Sequence, residues 1–101
     1  REQTPAQRAK LEFERLVILY PDNEYSNQAR RHLRECLINL ARFELYTGNF
    51  YYKQKDYRSA LLRYTYALKN FPDVGQYHEA INKINLCNMK IAEQEKGRAQ
   101  E

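Results

Sequence analysis

The chain of 101 residues has no tryptophan, one methionine, two cysteines, three glycines and three prolines. So little glycine and proline excludes an all-β chain, which needs such residues at its many reversals. Long apolar runs are also missing. The longest uncharged one, Leu16 to Tyr20, falls far below the ~20 residues that cross a bilayer, so no direct membrane span is expected. No glycine-rich phosphate loop or nucleophile motif occurs, and Glu12, Glu14, Glu35 and Glu44 fall at helical surface spacing, so neither an enzyme nor a cofactor site is expected. The chain starts with Arg1 instead of Met and shows no signal-peptide pattern there, as expected of a piece of a longer protein.

What remains is helix-forming material. Ala, Leu, Glu, Lys, Arg and Gln fill most of the segments, together with nine tyrosines and four phenylalanines, which suits helices packed through large side chains whose hydroxyls reach the surface. The formal net charge is +4, which raises nucleic acid as a partner. The distribution argues against it: Arg30, Arg31 and Arg34 are followed by Glu35, elsewhere the two signs alternate, and no recognition motif accompanies the charge. The length suits one domain with a modest core and a binding surface, not a large catalytic cavity.

Three short breaks divide the apolar periodicity: Pro21-Asp22-Asn23, Lys55-Asp56 and Pro72-Asp73-Val74-Gly75. Thr4 before Pro5 reads as an N-cap followed by proline at the first helical position, and the first helix then runs through Leu11, Phe13, Leu16, Val17 and Tyr20. From Glu24 to Gln54 no proline intervenes, which predicts one long helix or two joined by a kink near Ala41. A third helix is predicted over Tyr57 to Phe71 and a fourth over Gln76 to Glu93, with a fraying polar tail.

An internal repeat organises these helices. At an offset of 51 residues Ala9 pairs with Ala60, Leu11 with Leu62, Phe13 with Tyr64, Val17 with Leu68, Tyr20 with Phe71, Pro21 with Pro72, Asp22 with Asp73, Ala29 with Ala80 and Leu33 with Ile84. A helix pair cannot bury its apolar face alone, so stacked pairs repeat their sequence with the stacking period. Within the repeat, Gly48, Tyr51, Ala60, Tyr64, Ala67 and Pro72 follow at increments of 3, 9, 4, 3 and 5. This spacing resembles the ~34-residue tetratricopeptide repeat. Gly48 and Ala60 let two antiparallel helices approach, Tyr51 and Tyr64 fill the gap beside them, and Pro72 ends the second helix. The predicted fold is all-α: tetratricopeptide-type antiparallel helix pairs in a short solenoid, with one unusually long helix. Residues 1–101 form a single helical-repeat domain in this reading. Residues 1–22 hold the second helix of a truncated repeat, 23–75 the long helix and the complete repeat, and 76–101 the terminal helix and tail.

The offset of 51 exceeds the ~34-residue tetratricopeptide spacing and lengthens the helix between Pro21 and Gly48. That departure, the string from Leu40 to Tyr64, Asn70-Phe71-Pro72-Asp73, and Leu19 to Tyr25 with Ala29 and Arg30 resemble the BamD family of outer-membrane assembly lipoproteins. The resemblance covers roughly residues 9–86 and corresponds to the family's carboxy-terminal half. It implies a scaffold at the periplasmic face of the outer membrane that docks the periplasmic domain of the barrel subunit BamA and smaller lipoproteins. The lipid anchor would lie outside this stretch. It also implies that Arg63 lies at the BamA contact, although the asparagine that precedes this arginine in the family is Leu62 here. Arg63, Asn49 and Tyr52 are the expected partner-binding residues.

Other patterns are weaker. Gly48-Asn49 resembles the start of repeats that clamp a peptide's carboxylate, but the lysine such clamps need four residues before the asparagine is Leu45, so Asn49 is expected to line a groove. The alternative to the assembly scaffold is a generic periplasmic adaptor binding a peptide or partner in its concave groove. His32 and Cys36 sit one helical turn apart, half a zinc site at most, and His78 and Cys87 offer no matching close pair, so a buried thiol and an exposed imidazole are expected. Cys36 and Cys87 differ by the repeat offset of 51, which places them about one stacking step apart, beyond the ~7 Å Cα limit of a disulfide. Two free thiols are expected. Without a partner helix, the first helix would expose Leu11, Leu16 and Ile18.

Overall fold

The few punctuating residues set the helix boundaries. The computed structural model describes residues 4–21 and 23–100, and its elements are α1 (Pro5–Leu19), α2 (Glu24–Lys53), α3 (Tyr57–Lys69) and α4 (Tyr77–Ala99). Thr4 caps α1 in a reciprocal box: its hydroxyl accepts from the Gln7 N–H at 3.2 Å and the Gln7 side chain accepts from the Thr4 N–H at 3.0 Å. Pro5 stands at the start of the helix, where its missing N–H is no loss. Asn23 caps α2 through Ser26 and Asp56 caps α3 through Ser59. Asp22, part of the first expected break, lies outside the described residues, as do residues 1–3 and 101.

Residues 24–53 form one helix, so of the two readings of this stretch the unbroken one holds. Nothing in it interrupts the ladder of i to i−4 hydrogen bonds: it has no proline, and Gly48 is tolerated within the run. The helix stops in a Schellman turn, with the Asp56 N–H bonded to the Tyr51 carbonyl and the Lys55 N–H to the Tyr52 carbonyl, both at 3.0 Å. Lys55 takes the left-handed position of that turn, at φ 62°, which glycine usually fills.

The third helix ends at Lys69, two residues short of the predicted Phe71, and Phe71 instead turns into the core. The fourth runs to Ala99 and not to Glu93. Its polar end is held by α3 and the turn before it: Arg58 pairs with Glu95, and the Gln94 side chain reaches the Lys55 carbonyl at 3.5 Å. Buried Gln76 staples the connector between α3 and α4. Its amide donates to the carbonyls of Ala67 and Pro72 at 3.3 and 3.0 Å, while its oxygen accepts from the Val74 N–H at 2.9 Å. These bonds satisfy backbone groups that would otherwise be buried without partners.

The helices pack in sequence, α1 on α2, α2 on α3 and α3 on α4. The body is elongated, 64 × 29 × 19 Å. Two apolar clusters result. One gathers Leu37, Ala41 and Phe71 with Ala9, Phe13, Leu40, Tyr66 and Val74. The other gathers Leu45, Ala60, Tyr64, Ala67, Ala80 and Cys87, flanked by Tyr51, Tyr52, Leu61, Leu68 and Ile84. On α1, Leu11 and Ile18 are exposed as expected, with Val17, Leu19 and Tyr20, while Leu16 is half-buried.

Candidate partner-binding site

The predicted motif converges on one close contact. Gly48 lies under the Tyr64 ring so tightly that a Cβ there would stand 2.6 Å from Cε1 and 2.8 Å from Cδ1. Ala60 and Ala67, with no side chain beyond Cβ, are fully buried on either side of Tyr64 along α3. The Tyr64 hydroxyl donates to Asn49 Oδ1 at 2.6 Å, so the far end of the ring is pinned as well. Burial is the main reason that this phenol is held well above its ordinary range, with Cys87, Glu79 and Tyr52 adding smaller contributions. Asn49, an expected partner residue, is half-buried and bonded within the fold through its carbonyl oxygen.

Arg63 and Tyr52 lie on different sides of the α2–α3 pair. Arg63 bonds to Glu44 of α2 at 3.2 Å. Glu44 is therefore no ordinary surface glutamate: its side chain is 13% exposed, against 46% for Arg63. A carboxylate that is mostly out of water keeps its charge at lower cost with a cation beside it. Beside the pair, Tyr51, Ser59, Leu62, Arg63 and Tyr66 line a cavity of about 260 Å³, with Leu62 71% exposed at its edge. Leu62 was noted in the sequence as the repeat partner of Leu11 and as a departure from the family, not as a partner-binding residue. In the structure it is the most exposed apolar side chain of α3.

Tyr52 belongs to the flank of α2 that faces α4. Its ring meets Tyr57 edge to face at 5.2 Å, and Lys83 Nζ lies 5.0 Å from its centroid. Along the same flank, Ile38, Ala41, Arg42 and Leu45 line a cavity of about 230 Å³ with Val74, Gly75, Gln76 and Glu79. A smaller one of about 170 Å³ lies among Tyr46, Asn49, Phe50 and Lys53. Neither Arg42 nor Lys53 was singled out from the sequence. Their signal was the helical register they share with Asn49.

The remaining patterns resolve simply. Both cysteines are free. Cys87 is buried, and burial raises its pKa despite the opposing charge of Lys83. Cys36 is half-buried, not buried as expected. His32 beside it is exposed, with Nε2 4.0 Å from the sulfur. Among the described residues, no three of His, Cys, Asp or Glu gather as metal ligands. No helix among them is long and apolar enough to cross a membrane.

Antiparallel helix pairs in sequential contact, with the Gly48–Tyr64 approach at their centre, define a helical-repeat scaffold of tetratricopeptide-like architecture. The family model described as YfiO, outer membrane lipoprotein, matches residues 1–101, and the chain belongs to that family. Among its relatives, the outer membrane protein assembly factor BamD of Vibrio cholerae is 29% identical over 73 residues, covering 72% of this chain and 30% of that protein. The corresponding factor of Haemophilus influenzae is 32% identical over 81 residues, covering 80% of this chain and 31% of that protein. The matched stretch is thus a little under a third of each relative's length. No solved structure matches the chain.

Proposed function

We propose that the chain is a non-catalytic scaffold module of the machinery that assembles outer-membrane β-barrels. It works at the periplasmic face of the outer membrane and docks the periplasmic domain of BamA and accessory lipoproteins. The observation that carries this reading is the face formed by Leu62, Arg63 and Tyr66. An apolar side chain 71% exposed beside a cavity of about 260 Å³, next to a cation held in place by Glu44, suits a partner that presents an apolar anchor and a carboxylate. Membership of the outer membrane lipoprotein family, and the printed role of the BamD relatives in outer membrane protein assembly, support the choice of machinery.

The Arg63–Glu44 pair determines how the face is tested. Reversing the charge at Arg63 would disturb Glu44 as well as a partner, so loss of binding would mix two causes. Leu62→Glu changes only exposed surface. It is expected to weaken binding to the periplasmic part of the cognate BamA at least tenfold in a calorimetric titration, with an unchanged thermal midpoint. Equal affinities would remove this face from the contact. Absence of binding by the parent chain would favour the generic adaptor.

A further inference from the structure

One side of α2, which faces the α3–α4 connector and α4 only in its carboxy-terminal part, carries cations that the fold does not use. Arg30 is engaged, since its guanidinium donates to the Pro21 carbonyl at 2.9 Å and the Tyr20 carbonyl at 3.4 Å and so ties the end of α1 to α2. Arg31, Arg34, Arg42 and Lys53 are exposed, and none enters an ion pair among the described residues; the pairs formed there are Arg15–Glu12, Arg58–Glu95, Arg63–Glu44 and Lys90–Glu93. Lys83 adds a further charge from α4, above the Tyr52 ring and, among the described residues, in no ion pair. Glu24 and Glu35 of α2, Asp73 of the connector and Glu79 of α4 are the carboxylates near these five cations, and among the described residues none pairs with any of them.

The arrangement is regular as well as basic. Arg31, Arg42 and Lys53 recur every 11 residues of one unbroken helix. Eleven residues make close to three full turns, so the three side chains leave the helix in nearly one line, ~16 Å apart. The two cavities of about 230 and 170 Å³ lie along that line, one beside Arg42 and one beside Lys53, walled in part by Ile38, Leu45, Tyr46 and Phe50. An extended chain advances ~3.3 Å per residue, so ~5 residues span the step from one cation to the next.

We infer that this flank is a docking groove for an extended acidic segment of a partner protein, with carboxylates about five residues apart and apolar side chains between them. The carboxylates meet Arg31, Arg42 and Lys53, and the intervening apolar side chains enter the cavities. Tyr52, with Lys83 above it, and Asn49, pinned by Tyr64, form stiff walls that lose little freedom when a segment binds. The groove lies on the opposite side of the α2–α3 pair from Leu62 and Arg63 and is independent of the function proposed for that face.

The probe is a fluorescein-labelled twelve-residue peptide with glutamates at its first, sixth and eleventh positions and leucine or phenylalanine among serines between them, titrated against the whole chain by anisotropy. Saturable binding is expected, weakened at least tenfold by Arg42→Glu and by Lys53→Glu at unchanged thermal midpoints, and weakened by added salt. Leu62→Glu is expected to leave it unchanged, which separates this groove from the Leu62 face. Failure of the peptide to bind would overturn the inference. So would equal binding by Arg42→Glu, equal binding of a peptide with lysine in place of glutamate, or tighter binding of a single-stranded oligonucleotide of the same length.

Discussion

Tyr20 and Phe71 hold the same place in the 51-residue repeat, yet Tyr20 is 54% exposed and Phe71 is 2% exposed. Phe13 and Tyr64, also equivalent, are half-buried and fully buried. The difference lies in the neighbours. Tyr64 is enclosed between α2 and α4 and Phe71 between α2 and α1, whereas Tyr20 and Phe13 belong to a helix whose main neighbour is α2, with one hydrogen bond from Tyr66 to Thr4 linking its start to α3. A repeat position states which side chain is offered to the core; a second flanking helix decides whether water is excluded from it. The more deeply buried core is therefore in the α2–α3–α4 part of the molecule, and both candidate faces are built on it.

The sharpest way to break this comparison is to truncate the two equivalent aromatics. Tyr64→Ala is expected to cost about 4 kcal/mol in urea unfolding, as a fully buried ring leaves a cavity, and Phe13→Ala only about 1–2 kcal/mol. Equal costs would show that α1 is as tightly held as α3. Next in size is Gly48→Ala, whose new Cβ meets a ring that burial and Asn49 hold at both ends. Alanine's better helix propensity offsets part of the clash, which leaves a net loss of about 1–3 kcal/mol in thermal or urea denaturation. A neutral result would mean that the ring has room to move.

The alkaline limb of the stability curve sharpens the comparison further. Burial raises the Cys87 and Tyr64 pKa values above those of the unfolded chain, so both groups stay protonated in the folded state while their unfolded counterparts ionise. Their contribution is fully present below the unfolded pKa values, about 9 and 10, and is lost as pH rises past them. Cys87→Ala is expected to flatten the fall of the thermal midpoint between pH 8.5 and 10.5, and an unchanged slope would show that this thiol does not carry it. The smallest effect belongs to the turn between α2 and α3. Lys55→Gly relieves a left-handed residue without changing a contact, for a gain of about 0.5 kcal/mol after the added freedom of the unfolded chain is deducted. A loss on calorimetric melting would show that the Lys55 side chain helps to hold the turn.

Much of this molecule was determined locally. Thr4-Pro5, Asn23, Asp56 and Pro72 set helix ends through groups within a few residues of them, and hydrogen bonds at such range need no tertiary partner. The spacing from Gly48 to Pro72 placed the close helix contact because only a residue without a side chain allows that approach, a constraint visible in the residue type itself. What the tertiary structure decided lies at longer range. Gln76 reads as one more polar residue until its bonds to Ala67, Pro72 and Val74 are seen, and α4 outruns its expected end because Arg58 and Lys55 hold Glu95 and Gln94. Arg63 and Glu44, 19 residues apart, meet only because α3 folds back on α2. The charges of Arg31, Arg42 and Lys53 are written in the sequence, but whether a carboxylate neutralises them depends on which helices are brought alongside. Coulomb attraction acts through space, and neighbours in space are set by the packing of the whole chain.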